Sequence, residues 1–390
     1  MAWISTAEAL AMLDVKAQTL YANVSRGKIR AKADPADPRR SLYFHDDVAQ
    51  LAGGSAGRRK VEKVAADAID WGDPVLPSAI STVAQGCLWF RGQNAVKLAA
   101  DHDLEYVASL LWGGGTIAVS APLPAECVAA AARPEPDALC RAMTAMAMRS
   151  ASDLPSYGRA SAALRLEAPH VLLTLFCAVL QSTPDIDTPD LAGWIARRWQ
   201  RPNASAAIRC ALVLLADHEL NASTFATRVA ISTGASLSAG VLAGLAAASG
   251  PLHGSASLAI TRLLEAINHE EKPAALTRWL RQGQGLPGFG HRLYPDGDPR
   301  AVILLDALTL PPIYAALAQD ADRLVGERPN IDFALAALAR IHDLPPDAPM
   351  LLFVLARCVG WLAHAMEQAQ AARLIRPRAR YVGPPLQSDL

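Results

Sequence analysis

The chain has 390 residues, 52% hydrophobic and 19% charged, which is enough apolar content for a sizeable core and too much for a disordered chain. Lys plus Arg (37) balances Asp plus Glu (37), which removes any global field that would draw in nucleic acid or membrane. Aromatics at 6% favour helix over sheet, and six Cys standing singly, with no CxxC pair, argue against a disulfide scaffold or zinc ribbon and for a reducing, cytoplasmic setting.

Residues 1–52 read as a separate unit. Ser5 and Glu8 have the spacing of a capping box, with Ala9, Leu10 and Leu13 following on one helical face. A break at Asp14 and Val15 leads to a second helix over 16–24, where Leu20 and Val24 stand four apart. Residues 26–30 read as a turn entering a strand, Pro35 and Pro38 punctuate a loop, 41–44 return as a strand, and 46–51 close with a short helix. This order is that of a winged helix-turn-helix. Lys16, Arg26, Lys28, Arg30, Lys32, Arg39 and Arg40 lie on the second helix, the turn and the wing, where such domains meet DNA. Arg26, Lys28, Arg39 and Arg40 are the candidate phosphate contacts; a solvated basic face is the plain alternative. The segment resembles the MerR/excisionase-type DNA-binding domain through STAEA (5–9), TLY (19–21), SRGKI (25–29) and DDV (46–48).

Glycines 53, 54 and 57 open a linker over 53–73, and from 74 onward the pattern is helix after helix. Thr188, Pro189 and Asp190 read as an N-cap, a first-turn proline and an early acid. Strong helices are expected over 169–180, opened by Pro169, and over 350–370. The only clear strand signal beyond the first unit is 87–90. The uncharged run 229–252, rich in Gly and Ser, reads as closely packed buried helices rather than a membrane span, and the start of the chain shows no targeting segment. Arg357 inside the apolar stretch 350–366 needs a partner or an anionic ligand.

Three His have notable settings: His253 after a Gly-Pro break, His291 at the end of a glycine-rich turn, and His218 between Asp217 and Glu219. Metal binding is a poor reading of the last three, because consecutive side chains diverge on a helix. The turn with Gly283, Gly285, Gly288 and Gly290 allows close backbone approach to a nucleotide-bearing ligand, but it is not a P-loop, and a plain turn is an equal reading.

The remainder of the chain, about 74–390, resembles citrate synthase. The matching segments are ADHELNASTF (216–225), GPLHGSA (250–256), PGFGHRLYPDGDPRA (287–301), PNIDF (329–333), LARCVGWLAH (355–364) and LIRPRARYVG (374–383), in the family's order. Shorter likenesses at 79–81 and 90–92 match its N-terminal hairpin.

The resemblance implies a mostly α, two-domain all-helical fold, here preceded by the small winged helix-turn-helix domain. A large domain would comprise 74–252 and 355–390, and a small domain 253–354 would close over substrate. It implies condensation of acetyl-CoA with oxaloacetate, with His253, His291 and Asp332 as catalytic residues. Asp332 would take a methyl proton, His253 would hydrogen-bond the thioester oxygen, and His291 would polarise the ketone. A weakly acidic α-proton calls for such a base paired with a charge stabiliser. His218, Arg300, Arg357 and Arg376 would hold oxaloacetate, guanidinium forks being suited to carboxylates, with Arg376 reaching a partner subunit in a homodimer or higher oligomer. Leu286, Gly288, Phe289, Gly290 and Asn330 match parts of the CoA site. No permanently bound cofactor, no metal and no membrane are implied; acetyl-CoA is a co-substrate. Ser255, Ser257 and Pro295 depart from the family's pattern near CoA, and Arg292 is a candidate replacement for a missing basic residue. The alternatives are a 2-methylcitrate synthase using propionyl-CoA, and a DNA-binding regulator that senses central-carbon metabolites.

Overall fold

The computed structural model describes residues 3–13, 17–25, 28–34, 37–45, 47–48, 76–117, 123–185, 187–188, 190–251, 253, 259–260, 262–265, 272–283, 285–379 and 381–384, the backbone alone at 38, 39 and 272–275. The chain forms two units, Met1–Pro77 and Ser78–Leu390.

In the first unit β1 (Trp3–Ile4) precedes α1 (Thr6–Leu13) and α2 (Ala17–Ser25), and β2 (Ala31–Asp34) and β3 (Asp37–Phe44) form an antiparallel hairpin. The strand order is β1-β3-β2. The capping box forms: the Glu8 amide donates to Ser5 Oγ at 3.3 Å, and the Ser5 amide to Glu8 Oε2 at 2.8 Å. Ala9, Leu13, Leu20, Ile29, Tyr43 and Val48 make its core. The return strand starts four residues earlier than its sequence signal, and Pro38 lies beyond the regular register, where a missing amide costs little. Lys28 and Arg40 are exposed, Arg40 lying 3.3 Å from Asp37. Arg30 is instead spoken for, forking onto Asp47 through Nε and Nη2 at 2.8 Å each. Lys32 lies 4.3 Å over the Trp3 ring. Arg26, the Arg39 side chain, Lys16, most of the closing helix and the linker lie outside the described residues.

The second unit opens with a meander of β4 (Ser81–Ala84), β5 (Cys87–Phe90) and β6 (Gln93–Asn94). Gln85 and Gly86 at φ 55° and 69° make the tight turn between the first two. Then follow α3 (Ala95–Asp101), α4 (Leu104–Trp112), α5 (Ala125–Ala131), α6 (Ala138–Ser152), α7 (Ser161–Leu180), α8 (Leu191–Arg198), α9 (Ser205–Leu215), α10 (Ala222–Ser232), α11 (Leu237–Ala248), α12 (Lys272–Arg281), α13 (Pro299–Asp306), α14 (Pro312–Val325), α15 (Ile331–Ile341) and α16 (Ala348–Ala371). Two expectations are corrected. α7 begins eight residues before Pro169, which sits in its interior and withholds one backbone hydrogen bond. The cap of α8 is Asp190, whose carboxylate accepts from the Gly193 amide, while Thr188 donates to Asp185 in the preceding turn.

α7 and α16 are long and apolar enough to cross a membrane by composition alone, yet 67% and 89% of their apolar 18-residue stretches are buried within the protein. The described part of the run 229–252 covers the end of α10 and the whole of α11, two helices that pack on each other. A Cβ on Gly244 would stand 2.7 Å from Thr227 Oγ1 and 2.8 Å from the Trp361 ring, so only glycine allows that approach. A large apolar cluster gathers the meander, α3–α11 and α16. A smaller one collects side chains between Ile260 and Ala337. α15 serves both, sending Ile331, Leu335 and Leu338 to the first and Phe333, Ala336 and Ala337 to the second.

Candidate functional site

The site is assembled from helix ends. Residues 217–219 form a turn after α9 rather than a helix, because β4 clasps them. The Ser81 hydroxyl donates to Asp217 Oδ2, the Glu219 amide donates to Ser81 Oγ at 2.9 Å, and the Thr82 hydroxyl donates to Glu219 Oε1 at 3.1 Å. Their side chains still diverge, and among the described residues no cluster of three or more His, Cys, Asp and Glu could hold a metal. Asp217 meets His364 Nε2 at 3.2 Å. Burial alone would raise its carboxyl; His364, Arg357 and the Ser81 hydroxyl hold it below the usual range.

His218 turns inward, its Nε2 2.9 Å from the Tyr294 hydroxyl and its ring centroid 5.3 Å from that of His291. Burial, followed by the charges of Arg300, Arg357 and His291, holds it far below its ordinary value, so it is neutral. His291 is pushed down to about 4 by burial and by Arg300. Its Nδ1 accepts from the Leu293 amide at 3.1 Å, which leaves the proton on Nε2 as a donor.

Asp298 caps α13 and forks onto Arg300, with Nε 2.9 Å and Nη2 2.8 Å from its two oxygens. Its Oδ2 also accepts from the Ile331 amide at 3.0 Å, tying the start of α13 to the start of α15. That places Asp332 one residue into α15, beside both guanidinium groups. Burial raises its carboxyl to about 6, although Arg300 and Arg357 pull the other way.

Arg357 projects from the middle of α16 and is 2% exposed. Its Nε donates to the Leu215 carbonyl at 2.9 Å and its guanidinium lies 4.7 Å over Phe353. No ion pair engages it among the described residues. Burial lowers it to about 10, so it stays charged at neutral pH. His253 stands across Phe353, ring centroids 5.7 Å apart, with Nε2 2.9 Å from Ser223 Oγ. Burial and then Arg357 push it down to about 4.

The structure thus brings together His218, His253, His291, Arg300, Asp332 and Arg357. Arg376 lies exposed on the segment after α16 and has no partner in this cluster among the described residues. The glycine turn is locked to the segment before α15: the Gly290 amide donates to the Arg328 carbonyl, the Asn330 amide to Gly288 O, and Asn330 Nδ2 to Gly290 O. Gly288 is at φ 82°, and a Cβ there would stand 2.5 Å from Ile260 Cδ1. Leu286 and Phe289 are 7% and 6% exposed, so their side chains fill the smaller core and leave chiefly backbone to a ligand. Residues 254–258, with Ser255 and Ser257, lie outside the described residues. Sequence reasoning passed over Tyr294, Asp298, Ser223 and Phe353. Tyr294 and Asp298 lie within the same motif as His291, and Ser223 within that of His218, which was the available signal.

The family described as "Citrate synthase, C-terminal domain" matches residues 69–378. "Citrate synthase 2" of Bacillus subtilis is 39% identical over 189 residues, 46% of this chain and 51% of that protein. "2-methylcitrate synthase 2" of Corynebacterium glutamicum is 34% identical over 183 residues, 44% and 48% of the two chains. The chain spans about half the length of these curated relatives. The crystal structure of citrate synthase from Pyrobaculum aerophilum superposes with a TM-score of 0.65 at 26% identity, covering 80% of this chain and 92% of that one. With a family match over most of its length and the fold to go with it, the chain belongs to the citrate synthase family.

Proposed function

We propose that residues 78–390 condense acetyl-CoA with oxaloacetate, giving citrate and CoA. The observation that carries this reading is Arg357, a buried cation in no ion pair among the described residues: nearby Asp217 is taken up by His364 and the Ser81 hydroxyl, and the Asp332 carboxyl beside it is raised toward neutrality. A buried charge of this kind is costly unless an anion answers it. In this reading Arg357 and Arg300 take the carboxylates of the keto acid, with His218 beside them. Asp332 removes a methyl proton of the thioester, and neutral His253 donates to the thioester oxygen as charge develops there. His291, with its proton on Nε2, donates to the ketone as the carbon–carbon bond forms. Water then cleaves the thioester. The division into a large part and a smaller closing part, and the delivery of Arg376 to a partner subunit, belong to the same reading.

The test is thiol release from acetyl-CoA in the presence of oxaloacetate, followed against pH. The base works ionised, so kcat/KM should fall tenfold per pH unit below about 6. His253 and His291, at about 4, stay neutral across that range. A profile flat down to pH 5 would refute Asp332 as the base. The same assay with propionyl-CoA weighs the second acyl group, which the Corynebacterium relative's name brings into view. One methylene separates the two by only ~1–3 kcal/mol in an apolar pocket.

For the first unit we infer a DNA-binding winged helix-turn-helix, supported by its order of two helices and a hairpin and by exposed Lys28 and Arg40. Duplex binding, read by fluorescence anisotropy, should weaken at least tenfold between about 50 and 200 mM salt. A chain starting at Ser78 should lose that binding and keep thiol release. Absence of any salt-sensitive binding would make the unit a protein-contact module.

A further inference from the structure

Tyr294 has no part in the roles above, yet its ring occupies the centre of the cluster. It is 2% exposed, with its centroid 4.9 Å from that of His291 and 5.7 Å from that of His218. The Arg300 guanidinium lies 5.2 Å from the same centroid. Resting on the condensation reading, we propose that Tyr294 is a positioning residue: its hydroxyl donates to His218 Nε2, fixes the imidazole proton on Nδ1, and so gives the keto-acid substrate a neutral hydrogen-bond donor.

A hydroxyl and an imidazole nitrogen 2.9 Å apart can share a hydrogen in two ways. Were the proton on Nε2, the tyrosine oxygen would accept, and its own hydrogen would need a second acceptor; no described residue supplies one. Burial raises the phenol above its usual range, so it keeps its hydrogen. His218 is neutral, so one of its nitrogens is a bare acceptor. Among the described residues no hydrogen bond engages Nδ1, which leaves Nδ1–H to an incoming oxygen. Arg300 and Arg357 already supply positive charge, so what His218 adds is direction. A buried imidazole free to exchange tautomers would offer that donor only part of the time.

The experiment uses the full chain. Nitrogen-15 spectra of the histidine-labelled protein should show His218 with Nδ1 protonated and Nε2 bare. Tyr294→Phe keeps the ring against His291 and Arg300 and deletes only the hydroxyl. Oxaloacetate affinity, measured by calorimetry without acyl-CoA, should weaken ~10- to 100-fold, with kcat changed less and the acyl-CoA KM unmoved. In a His218→Gln background the same change should cost little more, because Tyr294 acts through that imidazole. Packing alone would predict no loss in the Phe variant. The proposal is overturned by a protonated Nε2 in the unaltered protein, by unchanged oxaloacetate affinity in Tyr294→Phe, or by additive losses in the double variant. The tautomer decides even if the variant does not fold. Failure of the condensation reading looks different, since the unaltered protein would then neither bind oxaloacetate nor release thiol.

Discussion

Asp332→Ala should lower thiol release from acetyl-CoA by about three orders of magnitude or more, while oxaloacetate affinity stays within a few-fold. The carboxyl sits at the start of α15 with its backbone amide donated to Asn330 Oδ1, an arrangement that survives loss of the side chain. Removal of the base therefore leaves the cap in place and takes away only the group that receives the proton. Stability gives a second readout, with the opposite sign from that of a structural ion pair. Asp332 is raised by folding to about 6 from its ordinary value of 3.8, so the native state takes up a proton between those values. Stability then falls as pH rises through that window, and above it the ionised group is a net cost. At pH 7.5 the variant should melt no lower than the unaltered protein. Near-normal turnover would remove Asp332 from the chemistry, and a large drop in melting temperature would mark it as structural.

Arg357→Leu should raise the oxaloacetate KM roughly 100- to 1000-fold, the loss expected for a charged, two-pronged contact. The fold should tolerate the change. Phe353 lies against it and its neighbours along α16, Val354 to Ala356 and Cys358 to Val359, are apolar, and no carboxylate is stranded, because Asp217 keeps His364 and the Ser81 hydroxyl. The Leu215 carbonyl loses one donor, a modest cost. Had Arg357 been half of a buried ion pair, its removal would cost several kcal/mol and lower the melting temperature steeply. Unfolding of the variant, with ordinary oxaloacetate affinity in whatever fraction refolds, would decide for the structural role.

Much of this arrangement was legible in the sequence for a physical reason. A charge in an apolar helix contradicts its surroundings, and that contradiction singled out Arg357 before any coordinate. The Ser5–Glu8 box and the strand at 87–90 were local signals, and local interactions formed both. Long-range contacts account for the failures. The turn at 217–219 follows an apolar helical run, and only the hydroxyls of β4, more than 130 residues away in the chain, pull it out of helix. Pro169 reads as a helix start, but the packing of α7 in the core overrides the local penalty. Leu286 and Phe289 share a turn with Gly288 and Gly290, and nothing in the spacing says that their side chains fill the smaller core. Tyr294 was hidden because a lone tyrosine carries no chemical signature until two imidazoles and a guanidinium are seen around it.

Gly360 bears on how such a sequence can drift. Its amide donates to the Ala216 carbonyl at 3.0 Å, and a Cβ there would lie 2.5 Å from that oxygen and 2.2 Å from Asp217 Oδ1. The turn that carries His218 and the helix that carries Arg357 therefore touch backbone to backbone, with the Asp217 carboxylate alongside and no room for a side chain at position 360. Most contacts in a core can be renegotiated by paired substitutions; this one has nothing to exchange. A lineage that keeps the spacing between those two residues must keep glycine at this position, whereas one that loses the glycine must pry the turn and the helix apart together. Position 360 is thus a mutational dead end whose cost is felt at the buried Arg357 one helical turn away.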